Sequence, residues 1–438
     1  MGCFKKQEKL VNMIKKFNVY IKKISYLTIY IIIIVYSLEL LSATFLKKKH
    51  DFTNKTFDQV KNKKILEIDS FDMRGNYVAF SEERERQNLS PSFKYTVLHF
   101  FNADHENKIK NFIQNKSKKK EIIPFRGPIN KNSLGSNEEG LREIITNDKF
   151  GFKNDNSFYE NIIDAMILGD SFAEGIPFSN SDSVSGNMNK KTRYNVLNYG
   201  VSGSGPLLSL GIVKEYSKKL KPKNVFYLFY EGNDLNDLMI EKKTFLLKYL
   251  GKFSQNLFKS TDEVTLFLEE YEGIFNEILP IKIKQEKNNI SEIKASSVKE
   301  NAKSGKEKIK NFLELNTLKE IILPSSVFTK SKIDYSLFLD TINEMNTEVK
   351  NWGGNFYFVY LPSWTRYNNK YSAANFFYKN KIENMMEEID IPFVDIDRVF
   401  KKNKSDNVNS YNLGLYGHYT KEGYSLIADR LIKILDEK

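Results

Sequence analysis

Five short apolar runs lie in the second part of the chain, and each ends in small or polar residues. The runs are Asp164–Leu168, Asn195–Tyr199, Asn224–Tyr230, Asn355–Leu361 and Ile391–Asp397. Nearly continuous hydrophobicity over this length predicts strands that are buried on both faces, as in a parallel sheet covered by helices. Most of the intervening stretches have the length and apolar spacing of helices. The pattern therefore predicts a doubly wound, five-stranded α/β domain over residues 161–438, whose ligands bind at the carboxyl ends of the strands.

Two further segments flank or interrupt this pattern. Residues 47–160 show no clean period, and we interpret them as a membrane-proximal α+β extension. The gap between the third and fourth runs is far longer than one crossover needs, which predicts a helical insertion at about 245–335. Its stretch 282–310 is rich in Lys, Glu, Ser and Asn and is expected to be mobile or solvated. A lid, a partner contact and a variable surface insertion all remain open for it.

One segment near the N-terminus is long and apolar enough to cross a bilayer. Residues 24–46 follow a basic segment, 1–23, and contain a single charge, Glu39. A signal peptide is the alternative, but no convincing small-x-small cleavage pattern lies near residues 43–50, so we favour a retained anchor. The number of basic residues is the same on the two sides of the apolar segment, so the charges do not decide its orientation in the membrane.

The net charge of +12 is concentrated beside this apolar segment. Residues 1–64 carry fourteen Lys and four acidic residues, so the rest of the chain is close to neutral. Basic residues on both sides of an apolar helix are typical of contacts to membrane lipid headgroups, and no nucleic-acid partner is expected. The only cysteine, Cys3, excludes an intramolecular disulfide.

Polar residues with a common chemistry follow the first three predicted strands. Gly169-Asp170-Ser171 ends the first strand, Gly200 ends the second, and Asn233 follows the third. An ester hydrolase needs such a set, because a serine attacks the carbonyl while N–H groups stabilise the oxyanion. The donors would be the N–H groups of Ser171 and Gly200 and the amide of Asn233. Each residue alone is more often a cap or a tight turn.

A nucleophilic serine also needs a base. The chain has four histidines, and three of them, His50, His99 and His105, precede the first strand. Only His418 follows the fifth strand, shortly before the predicted last helix. The sequence therefore predicts Ser171 as nucleophile and His418 as its base.

With these residues the chain resembles the SGNH (GDSL-like) hydrolases, whose blocks centre on a GDS serine, a glycine, a GxND asparagine and a late histidine. The third block differs from the family's GxND pattern, because no residue separates Gly232 from Asn233. A closer resemblance is to membrane-anchored bacterial SGNH proteins associated with surface-polysaccharide genes. It is carried by GFKN at 151–154, NYGVSGSGPLL, YEGNDLNDL and GHYTKEGYSLIA, and covers roughly residues 136–250 and 355–438.

The resemblance implies a three-layer α/β/α, flavodoxin-like fold, no metal or organic cofactor, and hydrolysis or transfer of acyl groups on a carbohydrate or lipid. A polysaccharide role would place the catalytic domain outside the inner membrane. The family's usual acid, three residues before the histidine, is Leu415 here. The acid that orients the imidazole could instead be Asp395, Asp397 or Asp406. Alternatively, a main-chain carbonyl could hold the ring, and the site would then be a Ser-His dyad.

Three hypotheses remain from the sequence. The leading one is an esterase that forms an acyl-serine intermediate, the second is an O-acyltransferase with the same site, and the third is a catalytically silent glycan-binding or assembly subunit. Leu415 is the best argument for the silent subunit. A distance of more than about 4 Å between His418 and Ser171 would favour it as well.

Overall fold

The chain divides into two compact units in the computed structural model, residues 1–56 with 300–329 and residues 57–299 with 330–438. The structure describes residues 2–41, 71–95, 106–138, 140–296, 312–315, 333–363, 366–367, 372–403 and 417–437.

The first unit contains helix α1, Gly2–Leu41. Its part Val19–Leu41 has a mean hydropathy of 2.0 and is long and apolar enough to cross a membrane. Apolar side chains along it are largely exposed, as suits a helix surrounded by lipid. A signal sequence has the same character, so the helix is consistent with the predicted anchor without deciding it. Residues 42–46 of the predicted span lie outside the described residues.

The second unit begins with the extension, which contains short elements. Its helices are α2, Asn76–Gln87, and α3, Glu106–Lys119. Its strands form two antiparallel pairs, β1 with β2 and β3 with β4. Their bounds are Phe93–Lys94, Arg126–Gly127, Asn132–Leu134 and Ile144–Thr146.

The extension shares its hydrophobic core with the α/β domain. Phe93, Phe125 and Phe152 are fully buried in the cluster that also contains Tyr199 of the main sheet. The rings of Phe152 and Tyr199 are stacked with centroids 4.0 Å apart. Because one core spans both parts, the boundary placed near residue 160 from the sequence does not separate two independent cores.

Five parallel strands form the main sheet, as the apolar runs predicted. In chain order they are β5 to β9, and their order across the sheet is β6-β5-β7-β8-β9. The bounds are Ala165–Gly169, Val196–Gly200, Asn224–Tyr230, Asn355–Leu361 and Phe393–Asp395. The last strand is shorter than its apolar run because Asp395 caps a helix that begins at Ile396.

Helices cover both faces of this sheet and complete a three-layer α/β/α fold. They are α4, Ser171–Glu174; α5, Val184–Lys191; α6, Pro206–Ile212, extended by Val213–Ser217 and Lys218–Leu220; α7, Asp234–Glu241; α8, Thr261–Ser296; α9, Tyr335–Asn351; α10, Ser372–Glu388; α11, Ile396–Lys402; and α12, Lys421–Asp436. Short 3₁₀ turns occupy Asn156–Glu160, Asn180–Asp182 and Phe245–Leu250. Pro206 begins α6, and the Thr420 hydroxyl caps α12 by accepting the Gly423 N–H at 3.1 Å.

Most of the described part of the insertion is helical, and residues 251–260 form turns and irregular structure. Helix α8 packs its first half against the extension, where Phe267 and Tyr271 contact Phe93 and Phe275 contacts Phe80. The stretch expected to be mobile or solvated continues this helix to Ser296, and residues 297–311 lie outside the described residues. The insertion therefore forms a wall against the extension.

Candidate active site

The turn from β5 into α4 places Ser171 at the carboxyl edge of the sheet. Gly169 has φ +135°, and a Cβ there would lie 2.5 Å from the carbonyl oxygen of Leu228. The Asp170 carboxylate accepts the Phe172 N–H at 2.9 Å and so caps the turn. Ser171 is the first residue of α4, and its own N–H has no acceptor inside the helix. The GDS sequence thus combines a glycine that the backbone requires, a cap, and a serine at a helix start.

His418 lies in contact with this serine. Its Nε2 is 2.7 Å from the Ser171 Oγ. The Phe172 ring packs on the imidazole at 4.8 Å between centroids. The next residue, Tyr419, is fully buried and donates its hydroxyl to the Pro362 carbonyl at 2.7 Å. These contacts hold the imidazole against the nucleophile.

The other imidazole nitrogen meets an acid that the sequence did not reveal. His418 Nδ1 is 2.7 Å from Glu138 Oε1, and the His418 N–H donates to Glu138 Oε2 at 3.4 Å. Glu138 lies in the extension, between β3 and β4. The candidate acids in the sequence, Asp395, Asp397 and Asp406, all lie at or after the fifth strand, far from Glu138 along the chain. The available signal was the resemblance itself, which begins at about residue 136.

Two of the three aspartates proposed as the acid, Asp395 and Asp397, have other partners than His418. Asp395 caps α11 and pairs with Lys379 at 2.5 Å. Asp397 pairs with Lys379 at 3.0 Å and with Lys401 at 2.9 Å. Both carboxylates are thus neutralised by lysines, and the expectation that either orients the imidazole is corrected. Asp406 and Leu415 lie outside the described residues.

The surroundings of His418 change its proton affinity in opposite directions. Burial acts to lower the pKa of the imidazole, because it disfavours the charged form. The hydrogen bond and negative charge of Glu138, with the charges of Asp170 and Glu174, outweigh burial and raise the pKa above its usual value. A base of raised pKa next to a serine hydroxyl suits removal of the serine proton near neutral pH.

Gly200 has a different role from the predicted one. Its N–H donates to the Asn198 side-chain oxygen at 3.0 Å, so this donor is already engaged. A Cβ on Gly200 would lie 2.2 Å from the Glu174 N and 2.5 Å from the Ala173 carbonyl carbon. Glycine is required here so that β6 can approach the nucleophile helix. The structure therefore corrects the assignment of the Gly200 N–H to the oxyanion.

The loop after β6 offers another donor at the same edge. Val201 N and the Ser204 hydroxyl both donate to the Gly169 carbonyl, at 2.9 and 3.1 Å, and hold the loop beside the nucleophile turn. Gly203 lies between them with φ +74°. Within the part of the chain that the structure describes, no acceptor receives its N–H. This free donor is the better candidate for the glycine position of the site.

Asn233 stands at the third strand end, in the capping position of α7. Its amide nitrogen donates to the Asp237 carboxylate at 2.8 Å. The Asn233 side chain also acts as a hydrogen-bond partner of Asp170 and lowers the pKa of that carboxyl. An amide carries two N–H groups, and the one that does not bond Asp237 is the candidate oxyanion donor. Asp237 thus fixes the orientation of the predicted oxyanion donor.

Four buried carboxyl groups lie beneath the site, on Asp170, Asp234, Asp237 and Glu241. Burial raises the pKa of Asp170 to about 6 and the pKa of Asp237 and Glu241 to about 8. Burial and the charges of Asp170 and Asp237 raise the pKa of Asp234 well above its usual value. Among the described residues, no cluster of His, Cys, Asp and Glu has the arrangement of a metal site.

Comparisons with known proteins found solved structures that align with part of this chain. No family model and no curated protein matches it. Among solved structures, a member of the lipolytic protein G-D-S-L family from Veillonella parvula DSM 2008 is 9% identical, covering 63% of this chain and 98% of its own, with a TM-score of 0.33. TesA is 8% identical, covering 62% and 98%, with a TM-score of 0.32. LAE5, an α/β hydrolase from the metagenome of Lake Arreo, Spain, is 11% identical, covering 62% and 94%, with a TM-score of 0.34. Values this low establish no activity, so the function rests on the geometry of the site.

Proposed function

We propose that this protein is a serine ester hydrolase that works through an acyl-serine intermediate. One observation carries the proposal, namely that His418 bridges Ser171 and Glu138 with 2.7 Å contacts at both ring nitrogens. This is the relationship of nucleophile, base and orienting acid that ester hydrolysis uses. The oxyanion donors are the N–H groups of Ser171 and Gly203 and the amide of Asn233.

The chemistry follows from the positions of these groups. His418 Nε2 takes the proton of the Ser171 hydroxyl as Oγ bonds to the ester carbonyl carbon. Glu138 holds the Nδ1 proton and stabilises the imidazolium that forms. The imidazolium then protonates the leaving alcohol, and the acyl group stays on Ser171. Water, activated by the same imidazole, releases the acid.

The substrate we propose is an acylated carbohydrate or lipid, with acetyl as the simplest acyl group. An O-acyltransferase would share every step up to the acyl-serine and differ only in using a sugar hydroxyl instead of water. A distance of more than about 4 Å between His418 and Ser171 would have favoured the silent subunit. The distance between His418 Nε2 and Ser171 Oγ is 2.7 Å, so this argument for it is lost.

Labelling with a fluorophosphonate tests the activated serine without knowledge of the natural substrate. The full chain in neutral detergent is expected to label, and Ser171→Ala and His418→Ala are expected not to. Ser181→Ala, an exposed serine ten positions further on, is the matched control and should label fully. If the folded wild-type protein does not label, or if Ser171→Ala labels as well as wild type, the proposal fails.

Product analysis separates hydrolysis from transfer. The enzyme is incubated with an acetyl ester and an excess of sugar acceptor, and acetate and acetylated sugar are both quantified. Acetate equal to the ester consumed supports hydrolysis, whereas acetylated sugar in excess of acetate supports the transferase.

We also propose that α1 anchors the protein as a single span, with the catalytic domain outside the cytoplasmic membrane. The exposed apolar stretch Val19–Leu41 and the basic residues on both sides of it support the anchor. The orientation rests on the resemblance to proteins associated with surface polysaccharides, because the flanking charges do not decide it. A C-terminal alkaline phosphatase fusion, which is active only outside the cytoplasm, should be active in intact cells. An inactive phosphatase fusion with a fluorescent cytoplasmic reporter at the same terminus would overturn this orientation.

A further inference from the structure

A cavity of about 560 Å³ lies beside the nucleophile helix, between the extension, helix α8 and the α/β domain. Its lining shares three segments with the proposed site. Glu174 ends the helical turn that Ser171 begins, Ser202 directly precedes Gly203, and Ser136 lies two positions before Glu138. Residues three apart on a helix are neighbours on its surface, so the cavity begins about one turn from the nucleophile.

One end of this cavity is formed by buried charges. The Glu174 carboxylate pairs with Lys94 at 2.8 Å and with Arg126 at 2.9 Å, and it also accepts the Ser202 N–H at 2.8 Å. Arg126 also donates to the carbonyls of Gly151 and Gly200. The carboxylate is thus fully used by partners in the protein.

A third basic side chain, Lys153, lies at the same end of the cavity and has no carboxylate partner among the described residues. Lys153 is 3% exposed and lines the cavity. Its ammonium donates to the carbonyls of Glu174 and Phe178, which leaves one of its three donors. Within the described part of the chain, no acidic side chain lies within ion-pair distance of it. Three basic side chains therefore surround one carboxylate, so the cluster has a net positive charge when all three are protonated.

The opposite walls are mainly aromatic and aliphatic, and they also carry Lys282 beside the Tyr77 ring. They are formed by Tyr77, Phe80, Phe178, Tyr271, Phe275 and Ile278. A cavity of this size, with aromatic walls and a cluster of basic groups at one end, fits a single ring-sized unit that carries one charged group. Because Lys153 has no carboxylate partner among the described residues, the matching ligand charge is negative.

We infer that this cavity binds a carboxylate- or phosphate-bearing unit of the acylated substrate, with Lys153 and Lys94 at the anionic group and the aromatic walls against the rest. The inference rests on the proposed function for its substrate but not for its binding site. Burying an ammonium without a carboxylate partner is unfavourable, and an anionic ligand removes this penalty by pairing with it. The substrate class is thereby narrowed to acidic glycans or phosphate-bearing lipids and glycans.

The groups around Lys153 predict that binding takes up protons. Burial lowers the pKa of Lys153 to about 7; the charges of Arg126 and Lys94 lower it as well, while those of Glu174 and Glu143 raise it. An anion in the cavity favours the charged ammonium and raises this pKa. Binding at pH 7 to 8 should therefore bring a proton from the buffer to the protein.

Calorimetry on the full chain in neutral detergent tests the inference with glucuronate, glucose 6-phosphate and neutral glucose as probes. One or both anions are expected to bind at least about tenfold more tightly than glucose. Two buffers of different ionisation enthalpy should show proton uptake at pH 7.5. Glucuronate binding alone indicates a carboxylate site, and glucose 6-phosphate binding alone indicates a phosphate site. Equal binding of all three sugars, or no anion binding at tens of millimolar, overturns the inference.

Variants test anion binding separately from the proposed esterase activity. Lys153→Met keeps the length of the side chain without its charge, and it should weaken anion binding about tenfold or more and abolish proton uptake. Lys149→Met, an exposed lysine in the same segment, is the matched control and should bind as wild type. Labelling of Ser171 by the neutral fluorophosphonate is measured on the wild type and on Lys149→Met and should persist in both. Wild-type labelling without anion binding removes only the inference, whereas anion binding without labelling removes only the esterase.

Discussion

Glu138 and His418 are 280 positions apart in the sequence, yet Glu138 Oε1 lies 2.7 Å from His418 Nδ1. The acid comes from the extension, and the nucleophile and base come from the α/β domain. The extension is thus part of the proposed catalytic centre. It supplies the orienting carboxylate, and through Lys94 and Arg126 it holds Glu174 of the nucleophile helix.

Replacing Glu138 tests how much the orientation of His418 contributes to catalysis, because the histidine itself stays in place. We expect Glu138→Gln to lower kcat for p-nitrophenyl acetate by a factor on the order of 10² to 10⁴, because the imidazole loses the partner that fixes its tautomer and stabilises its cation. Loss of the negative charge also lowers the pKa of His418. Since only the neutral imidazole acts as base, the acidic limb of the pH–rate profile should move to lower pH.

The control for this variant is Glu160→Gln, which removes an exposed carboxylate at the end of the same extension. It should leave both kcat and the pH profile unchanged. A Glu138→Gln protein with wild-type kcat would show that Ser171 and His418 work as a dyad.

Asn233 offers a test of the oxyanion site. We expect Asn233→Ala to lower kcat by a factor on the order of 10² to 10³ with little change in KM, because the amide contacts the oxyanion only in the transition state. Asn236→Ala, on the same helix one turn later, is the matched control. A large rise in KM at constant kcat would instead assign Asn233 to ground-state binding.

The sheet could be predicted from the sequence, and the reason is physical. Strands β7 and β8 are buried along nearly their whole length, so their sequences are apolar without interruption and their bounds coincide with the predicted runs. The Ser171–His418 pair could be predicted because topology brings strand ends to one edge, and only one histidine followed the last strand.

Two features of the site could not be read from the sequence in this way. Glu138 reaches His418 only through tertiary packing of the extension, and no local spacing records such a contact. The segment after β6 offers Gly200 and Gly203 close together, and the backbone conformation decides between them. Gly200 belongs to the strand and has its N–H engaged, whereas Gly203 lies at φ +74° in the loop.

The packing role of Gly200 leads to a stability prediction. A methyl group there would lie 2.2 Å from the Glu174 backbone N, so Gly200→Ala should destabilise the fold by at least about 2 kcal/mol and displace the nucleophile helix. Gly273→Ala is the contrasting variant, since Gly273 lies in α8 with nothing within 4 Å of a Cβ. It should stabilise the protein by about 0.5 to 1 kcal/mol through the greater helix propensity of alanine. Denaturant unfolding measures both, and a Gly200→Ala protein as stable as wild type would contradict the assigned close approach.

The buried carboxyl groups beneath the site should make stability depend on pH. The folded-state pKa of Asp237 and of Glu241 is raised to about 8, whereas an unfolded chain has values of about 4. Between these limits the folded protein binds more protons than the unfolded chain, so the stability that these groups contribute is present below pH 4 and is lost as the pH rises toward 8. The thermal midpoint of the wild type should therefore fall between pH 5.5 and 8.5.

Asp237→Asn isolates this effect, because the new amide oxygen can still accept the Asn233 N–H while it no longer ionises. The fall in thermal midpoint between pH 5.5 and 8.5 should be smaller in this variant, by a few degrees. It should be smaller still in the double variant with Glu241→Gln. Asp340→Asn, an exposed aspartate on α9, should keep the wild-type dependence. His418 titrates in the same window, but it is common to all four proteins and cancels in the comparison. An unchanged pH dependence in Asp237→Asn would mean that this carboxyl is ionised in the folded protein throughout the window, and that its charge is stabilised where it lies.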